Sequence, residues 1–271
     1  MAQRDGGTGD WPRGIGLVGA GAMGRAMLAG LLLGRPDLGP AAVVADAIPE
    51  AAEAGAAECG GRTGTVAGAA SQDLVVVAVK PKDAPAALEA VAAGTGEGTV
   101  LLSVMAGWDL ARLRAAVPRA GLVRTMPNLA VRMGAGIVAL ATDGVAAGRT
   151  AALVELLRPA GAVVELPESL FPAATALAGS GPGLLAVIVE ALEEGAVGAG
   201  LSRDQARTMA RGVVAGTAAL LQDGRDPSTL RQAVSSPAGT TVAGVAVLER
   251  GAVRAHVADA VLAAARRAAE L

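Results

Sequence analysis

The chain has 271 residues, a formal net charge of −2 and 52% hydrophobic residues, mostly Ala, Val and Leu. That length builds one large domain or two modest ones, and the charge balance offers no basic surface for nucleic acid. One cysteine, Cys59, makes neither an internal disulfide nor a metal cluster, which points to a reducing, cytoplasmic compartment and no metal site.

The opening MAQRDGGTGDWP lacks the basic start and apolar core of a signal peptide and reads as a disordered tail over residues 1–12. Residues 14–18, GIGLV, read as a short apolar strand, followed by a Gly-rich turn and a helix through 32. AVVAD at 42–46 is a second buried strand, and PEAAEAG opens a second helix. LVVVAV at 74–79 carries the strongest strand signal, apolar and β-branched between polar neighbours. TVLLSV at 99–104 and LVRT at 122–125 follow, with helical patterns at 83–93 and 109–116 between them. GIVAL at 136–140 and AVVEL at 162–166 look like further strands around a helix near 146–158. Strands that alternate with helices predict an α/β, doubly wound, mainly parallel sheet over residues 13–166.

After Pro167 no strand pattern recurs, so residues 167–271 are expected to be all helical. Ser202 with Gln205 has the spacing of a capping box. The stretch 183–192 is apolar nearly all round, which asks for burial on more than one face and predicts a homodimer through this part. Apolar runs are interrupted by Gly, Arg or Pro before membrane-spanning length, so no membrane partner is expected.

Gly19, Gly21 and Gly24 form G-x-G-x-x-G between a strand and a helix, the context that gives this pattern meaning. Gly19 permits the tight turn, Gly21 lets a pyrophosphate approach the backbone, and Gly24 lets helix and strand pack closely. The six residues Gly19, Ala20, Gly21, Ala22, Met23 and Gly24 are therefore candidates for holding a dinucleotide of the NAD(H) or NADP(H) type. Asp46 ends the second strand, where an acid bonds ribose hydroxyls and repels a 2′-phosphate; a strand-end Asp capping a turn is the plainer alternative. Ala78, Val79, Lys80 and Pro81 end the central strand, Ala106 and Gly107 follow the next, and Asn128 closes RTMPN. All are expected at the carboxyl edge of the sheet, where open α/β sheets bind ligands. Lys80 also reads as a solvated charge, and Asn after Pro is common in ordinary turns.

SSPAGTT at 235–241 reads as a helix start, with Ser236 as N-cap and Pro237 in the first turn. The free amides and positive dipole of such a helix attract an anion. Read alone, the segment fits a capped helix at least as well as a carboxylate site.

In this order, the pieces resemble the pyrroline-5-carboxylate reductase family from residue 14 onward. GSGP at 179–182, EALEEGAVGAGL at 190–201 and SPAGTT at 236–241 followed by VLERGAVRAHVADAV carry the likeness, with AVKP and VRTMPN at strand ends. The resemblance implies a Rossmann-type domain, a helical dimerisation domain, and dimers that join into rings. It implies reduction of the cyclic imine 1-pyrroline-5-carboxylate to L-proline with NADPH or NADH. By the same likeness Ser236, Gly239 and Thr240 hold the substrate carboxylate, and Thr241 is the catalytic residue at the ring nitrogen. Glu168 matches an acid that the family places near the substrate; an acid favoured by a helix dipole is the alternative. The chain departs from the family pattern at Ala238, where Gly is usual; a methyl is tolerated there if the residue is helical. Gly183 and Leu184 replace the common Ala-Tyr, and no Arg follows Asp46.

The residues that are missing fit this chemistry. There is no Tyr, one His, and the lysines are Lys80 and Lys82. Hydride addition to a protonated iminium develops no oxyanion, so it works by positioning and charge balance. A related cyclic imine remains an alternative substrate. A 3-hydroxyisobutyrate-type dehydrogenase would need a Lys in the helical part, and none follows position 82. A nucleotide sensor on the same fold is the non-catalytic alternative. His256 reads as structural.

Overall fold

The computed structural model describes residues 11–271. The strands are β1 (Ile15–Val18), β2 (Val43–Ala45), β3 (Arg62–Thr63), β4 (Leu74–Val77), β5 (Val100–Ser103), β6 (Gly121–Pro127), β7 (Gly136–Asp143) and β8 (Gly161–Glu165). They form one sheet in the order β3-β2-β1-β4-β5-β6-β7-β8. Neighbours are parallel except β6 and β7. The exception has a steric cause: segment 128–135 is too short for a crossover, which takes about a dozen residues or more. The chain therefore turns back on itself, and β7 and β8 run against the other six strands.

Strand alternation builds the two layers. Ile15, Leu17, Leu74, Val76, Val100 and Leu102 face one core with Met27, Leu28 and Leu31 of α1 (Ala22–Gly34). Ala52 and Ala56 of α2 (Pro49–Cys59) and Leu153 of α6 (Ala147–Leu157) join them. Val18, Val75, Val77 and Leu101 face the other core, with Ala69 of α3 (Val66–Ala70), Leu88 of α4 (Ala84–Gly94) and Leu113 of α5 (Leu110–Ala116). Both faces are covered, so these strands are apolar at every position. β3 and α3 carry too few residues for a periodic signal, and the sequence reading passes over them.

Of the segment read as a tail, residues 1–10 lie outside the described residues. Trp11 and Pro12 correct that reading, since both are buried. The Arg149 guanidinium lies 5.0 Å from the Trp11 ring centroid. The next residue, Arg13, donates its amide to Asp73 at 2.9 Å. Burial alone would raise the Asp73 carboxyl, but the Arg13 amide and guanidinium outweigh it and hold it below the usual carboxylate range.

Two compact units share the chain: one runs to Gly179 and takes in Ala265–Leu271, the other is Ser180–Ala264. Residues 167–179 thus group with the sheet, where Phe171 is fully buried beside Met126, Ala139 and Ala141. They comprise a 3₁₀ turn, the short helix α7 (Phe171–Ala174) and one π-helical stretch, Thr175–Gly179. The second unit holds α8 (Gly181–Gly198), α9 (Arg203–Gln222), α10 (Pro227–Ala233) and α11 (Thr240–Arg250), and α12 (Val253–Ala269) ends the chain. The capping box at Ser202 and Gln205 is present, with Ser202 donating its amide to Gln205 at 2.9 Å. α8 has no buried residue, and Leu185, Val187, Ile188 and Leu192 stand exposed. The expectation that Gly, Arg or Pro breaks every apolar run before membrane-spanning length is corrected over residues 168–198. Glu168–Gly198 is long and apolar enough, by length and composition, to cross a membrane.

Gly16 tests the layer packing, because a Cβ there would strike the Ala69 carbonyl on α3. Overpacking of this kind costs about 1–3 kcal/mol, and each kcal/mol lowers Tm by roughly 2–4 °C in a domain of this size. Calorimetry should therefore find Gly16→Ala several degrees less stable. Gly96→Ala, placed in open space, should melt with the parent.

Candidate functional site

The end of β1 is shaped by close backbone approaches. Gly19 has φ +95°, and a Cβ on it would lie 2.7 Å from the Ala78 carbonyl carbon. A Cβ on Gly24 would strike the Gly19 carbonyl oxygen. Around Gly21 nothing lies within 4 Å of such an atom. Two glycines therefore serve packing, and the third leaves an open approach to the backbone. Gly21 is also the N-cap of α1 and makes no side-chain cap bond. The amides of Ala22, Met23 and Gly24 open the helix, and the first bond back into it runs from Arg25 to the Gly21 carbonyl at 3.0 Å. Free amides, a positive helix end and an open approach fit the pyrophosphate of a dinucleotide.

Asp46 adjoins this turn. Its Oδ2 accepts from the Ala20 amide at 2.6 Å, and its Oδ1 accepts from the Ile48 amide at 2.9 Å. Strand direction brings the other expected residues to the same edge, since β1, β4, β5 and β6 are mutually parallel. Ala78 and Val79 are half-buried, while Lys80 and Pro81 are exposed. Gly107 has φ +75°, with Ala106 half-buried before it. The Gly107 carbonyl accepts from Arg112 at 2.7 Å. Asn128 is buried and caps the turn Leu129–Met133, accepting from the Ala130 amide at 3.1 Å. Its carbonyl oxygen thus already has a structural partner. Among the described residues no group of three or more His, Cys, Asp or Glu could hold a metal.

Glu168 follows β8 and reaches back to β6 and the start of α5, level with the last residue of β5. Its Oε1 accepts from Arg124 Nη1 at 2.8 Å and from the Leu110 amide, the first of α5, at 2.7 Å. Arg124 in turn lies 4.5 Å over the Phe171 ring. Glu168 therefore ties β6, α5 and the start of the 168–179 segment together. The sequence reading missed this clamp, because Arg124 was read only as part of a strand end.

In the second unit, the helix after SSPAGTT starts at Thr240, with Gly239 as N-cap, rather than at Ser236. Ser236 to Gly239 form a turn closed by the Gly239 amide on the Ser236 carbonyl at 2.9 Å. Pro237 stands at its second position, and Ala238 at the third has φ +55°, the left-handed value that a type II turn requires there. Ala238 is thus not helical, and the expectation that its methyl sits comfortably in a helix is corrected. The amides of Thr240, Thr241 and Val242 open the helix, and its first bond runs from Ala243 to the Gly239 carbonyl at 3.2 Å. Thr241 is half-buried and Thr240 exposed. A Cβ on Gly239 would strike the Ser236 hydroxyl, so the serine oxygen stands at the helix mouth. This arrangement suits a small carboxylate.

Comparison with known proteins gives two family matches. Residues 168–271 match the family described as pyrroline-5-carboxylate reductase dimerisation, and residues 14–107 match that described as NADP oxidoreductase, coenzyme F420-dependent. The pyrroline-5-carboxylate reductase of Thermus thermophilus is 38% identical over 260 residues, 95% of this chain and 98% of that protein. That of Methanosarcina acetivorans is 33% identical, over 95% and 97%. The solved structure of a pyrroline-5-carboxylate reductase from Coxiella burnetii superposes with a TM-score of 0.85 at 28% identity, covering 94% of this chain and 97% of that one.

Two measurements probe these geometries. Gly21→Ala meets no atom and needs no unusual backbone, so Tm without ligand should match the parent, whereas titration calorimetry should show dinucleotide affinity down at least about tenfold, or 1.4 kcal/mol. Glu168→Gln and Arg124→Gln should each lower stability by about 1–2 kcal/mol, as partly buried ion pairs do. The double variant should cost little more than either, giving a coupling of about 1 kcal/mol in a double-mutant cycle.

Proposed function

Since this chain belongs to the pyrroline-5-carboxylate reductase family, we propose that it reduces 1-pyrroline-5-carboxylate to L-proline, the last step of proline biosynthesis. The observation that carries this reading is the mouth of α11, where three successive amides and the Ser236 hydroxyl gather behind a tight turn. A ring imine with one carboxylate presents the anion that such a mouth holds.

Ser236, Gly239 and Thr240 take the substrate carboxylate, through the serine hydroxyl and the first amides of the helix. Thr241 faces the ring nitrogen. The reacting form is the protonated imine, whose carbon is already electrophilic. Addition of hydride to that carbon removes the C=N bond and leaves the proton on nitrogen as a secondary amine. Thr241 accepts a hydrogen bond from that N–H and keeps its proton in place. No oxyanion forms, so the absence of Tyr and of a second His costs the reaction nothing.

Gly19 to Gly24, Asp46, Ala78 to Pro81, Ala106, Gly107 and Asn128 are proposed to hold the dinucleotide, NADPH or NADH, whose nicotinamide ring supplies the hydride when bound. Gly21 and the amides of Ala22, Met23 and Gly24 fix the pyrophosphate. We assign Glu168 a structural place, because its Oε1 already serves Arg124 and Leu110.

The helical part is proposed to form a homodimer, and such dimers can join into a ring. The exposed Leu185, Val187, Ile188 and Leu192 of α8 support this. The same surface, with Glu190, Glu193 and Glu194 in one helix, suits a protein partner better than lipid. A reducing cytoplasm suits the lone Cys59.

Mixing the protein with 1-pyrroline-5-carboxylate and NADPH or NADH should consume nicotinamide absorbance and yield proline; no oxidation with either dinucleotide defeats the proposal. Thr241→Val should reduce kcat/KM by about tenfold to a hundredfold while Tm stays within a degree or so. Undiminished turnover removes Thr241 from the mechanism.

A further inference from the structure

We propose that Asp46 makes this enzyme NADH-preferring, by holding a fixed negative charge where the adenosine ribose of the dinucleotide lies; this rests on the reductase reading above. The position alone suggests such a role, but a strand-end Asp on a mobile side chain could rotate away from a bulky 2′-phosphate. Here it has no such freedom. One carboxylate oxygen is held by the Ala20 amide at 2.6 Å and the other by the Ile48 amide at 2.9 Å. Turning the side chain out would strip two main-chain donors of their acceptor. Both oxygens keep a free lone pair, which is what two ribose hydroxyls need. A 2′-phosphate has no hydroxyl to donate at that point and carries between one and two negative charges near neutral pH.

Among the described residues Asp46 takes part in no salt bridge. Positions 47–49 are Ala, Ile and Pro. Arg25, on the first turn of α1, is paired with Glu58 at 2.8 Å. Arg62 on β3 is in register with Val43, below the strand end. Ile48 is 60% exposed just past Asp46, an apolar surface that an adenine face can cover. The site thus has a diol acceptor and an apolar shelf, and it lacks the guanidinium that a 2′-phosphate demands. The inference runs against the NADP named in the description of the family that residues 14–107 match. It follows from this chain's own residues.

The test has a binding arm and a turnover arm. Calorimetric titration of the protein alone should give a Kd for NADH at least tenfold below that for NADPH. The ratio of kcat/KM with 1-pyrroline-5-carboxylate should favour NADH to a similar degree. In Asp46→Ser combined with Ala47→Arg, both preferences should invert, with the unliganded Tm measured to confirm a folded chain. If that variant does not fold, Asp46→Asn, which keeps one acceptor and removes the charge, should shrink the preference at least threefold. A parent that binds NADPH as tightly as NADH, or a folded variant with an unchanged ratio, overturns the inference. Tighter NADH binding without imine reduction sustains it and defeats the reductase reading instead.

Discussion

At Gly24 one hydrogen stands where any Cβ would collide with the carbonyl oxygen of Gly19. Gly19 in turn presses against the main chain at Ala78. These contacts bring β1, α1 and the end of β4 to backbone separation, and the carboxyl edge of the sheet is built around them. Because α1 begins so close to the strand, its free amides point into the space that Gly21 leaves open. The Ala20 amide emerges beside β2 and meets Asp46. Phosphate cradle and ribose acceptor are thus consequences of one tight turn, and a side chain at either packing glycine would move both.

The same edge gathers its other residues through strand direction. Ala78, Gly107 and Asn128 are far apart in sequence and become neighbours because β4, β5 and β6 run the same way as β1. β7 and β8 are reversed by a connection too short to cross over, yet Glu168 after β8 meets Arg124, level with the last residue of β5, and the first amide of α5. The pair is partly buried and capped by the Phe171 ring.

Much of this was legible in advance. Runs such as LVVVAV and VLLSV are apolar at every position because both faces of the sheet are covered, and such runs announce themselves. G-x-G-x-x-G between strand and helix located the turn, and Ser202 with Gln205 located the start of α9. What stayed hidden depended on partners distant in sequence. Nothing in RTMPN or PESL says that Arg124 and Glu168 meet. Two-residue β3 and five-residue α3 are too short to show a period. Trp11 looked like part of a polar tail, because a partner such as Arg149 lies more than a hundred residues later. SSPAGTT was recognised as a helix start, but its turn was displaced by three residues, since Ser-Pro fits a cap and a type II turn equally well. The reading of apolar runs as cut short by Gly and Pro also missed that Glu168–Gly198 is long and apolar enough, by length and composition, to cross a membrane.

That displaced turn has a consequence for how rigid the mouth of α11 is. Glycine enters a left-handed position without steric cost, whereas alanine adopts it at a cost of about 1–2 kcal/mol. The methyl at Ala238 therefore leaves a strained link beside the mouth. Pro237 before it and the Gly239 amide on the Ser236 carbonyl behind it have to hold that link in place. An anion that docks on the amides of the folded turn steadies it in return, so occupancy and local order rise together.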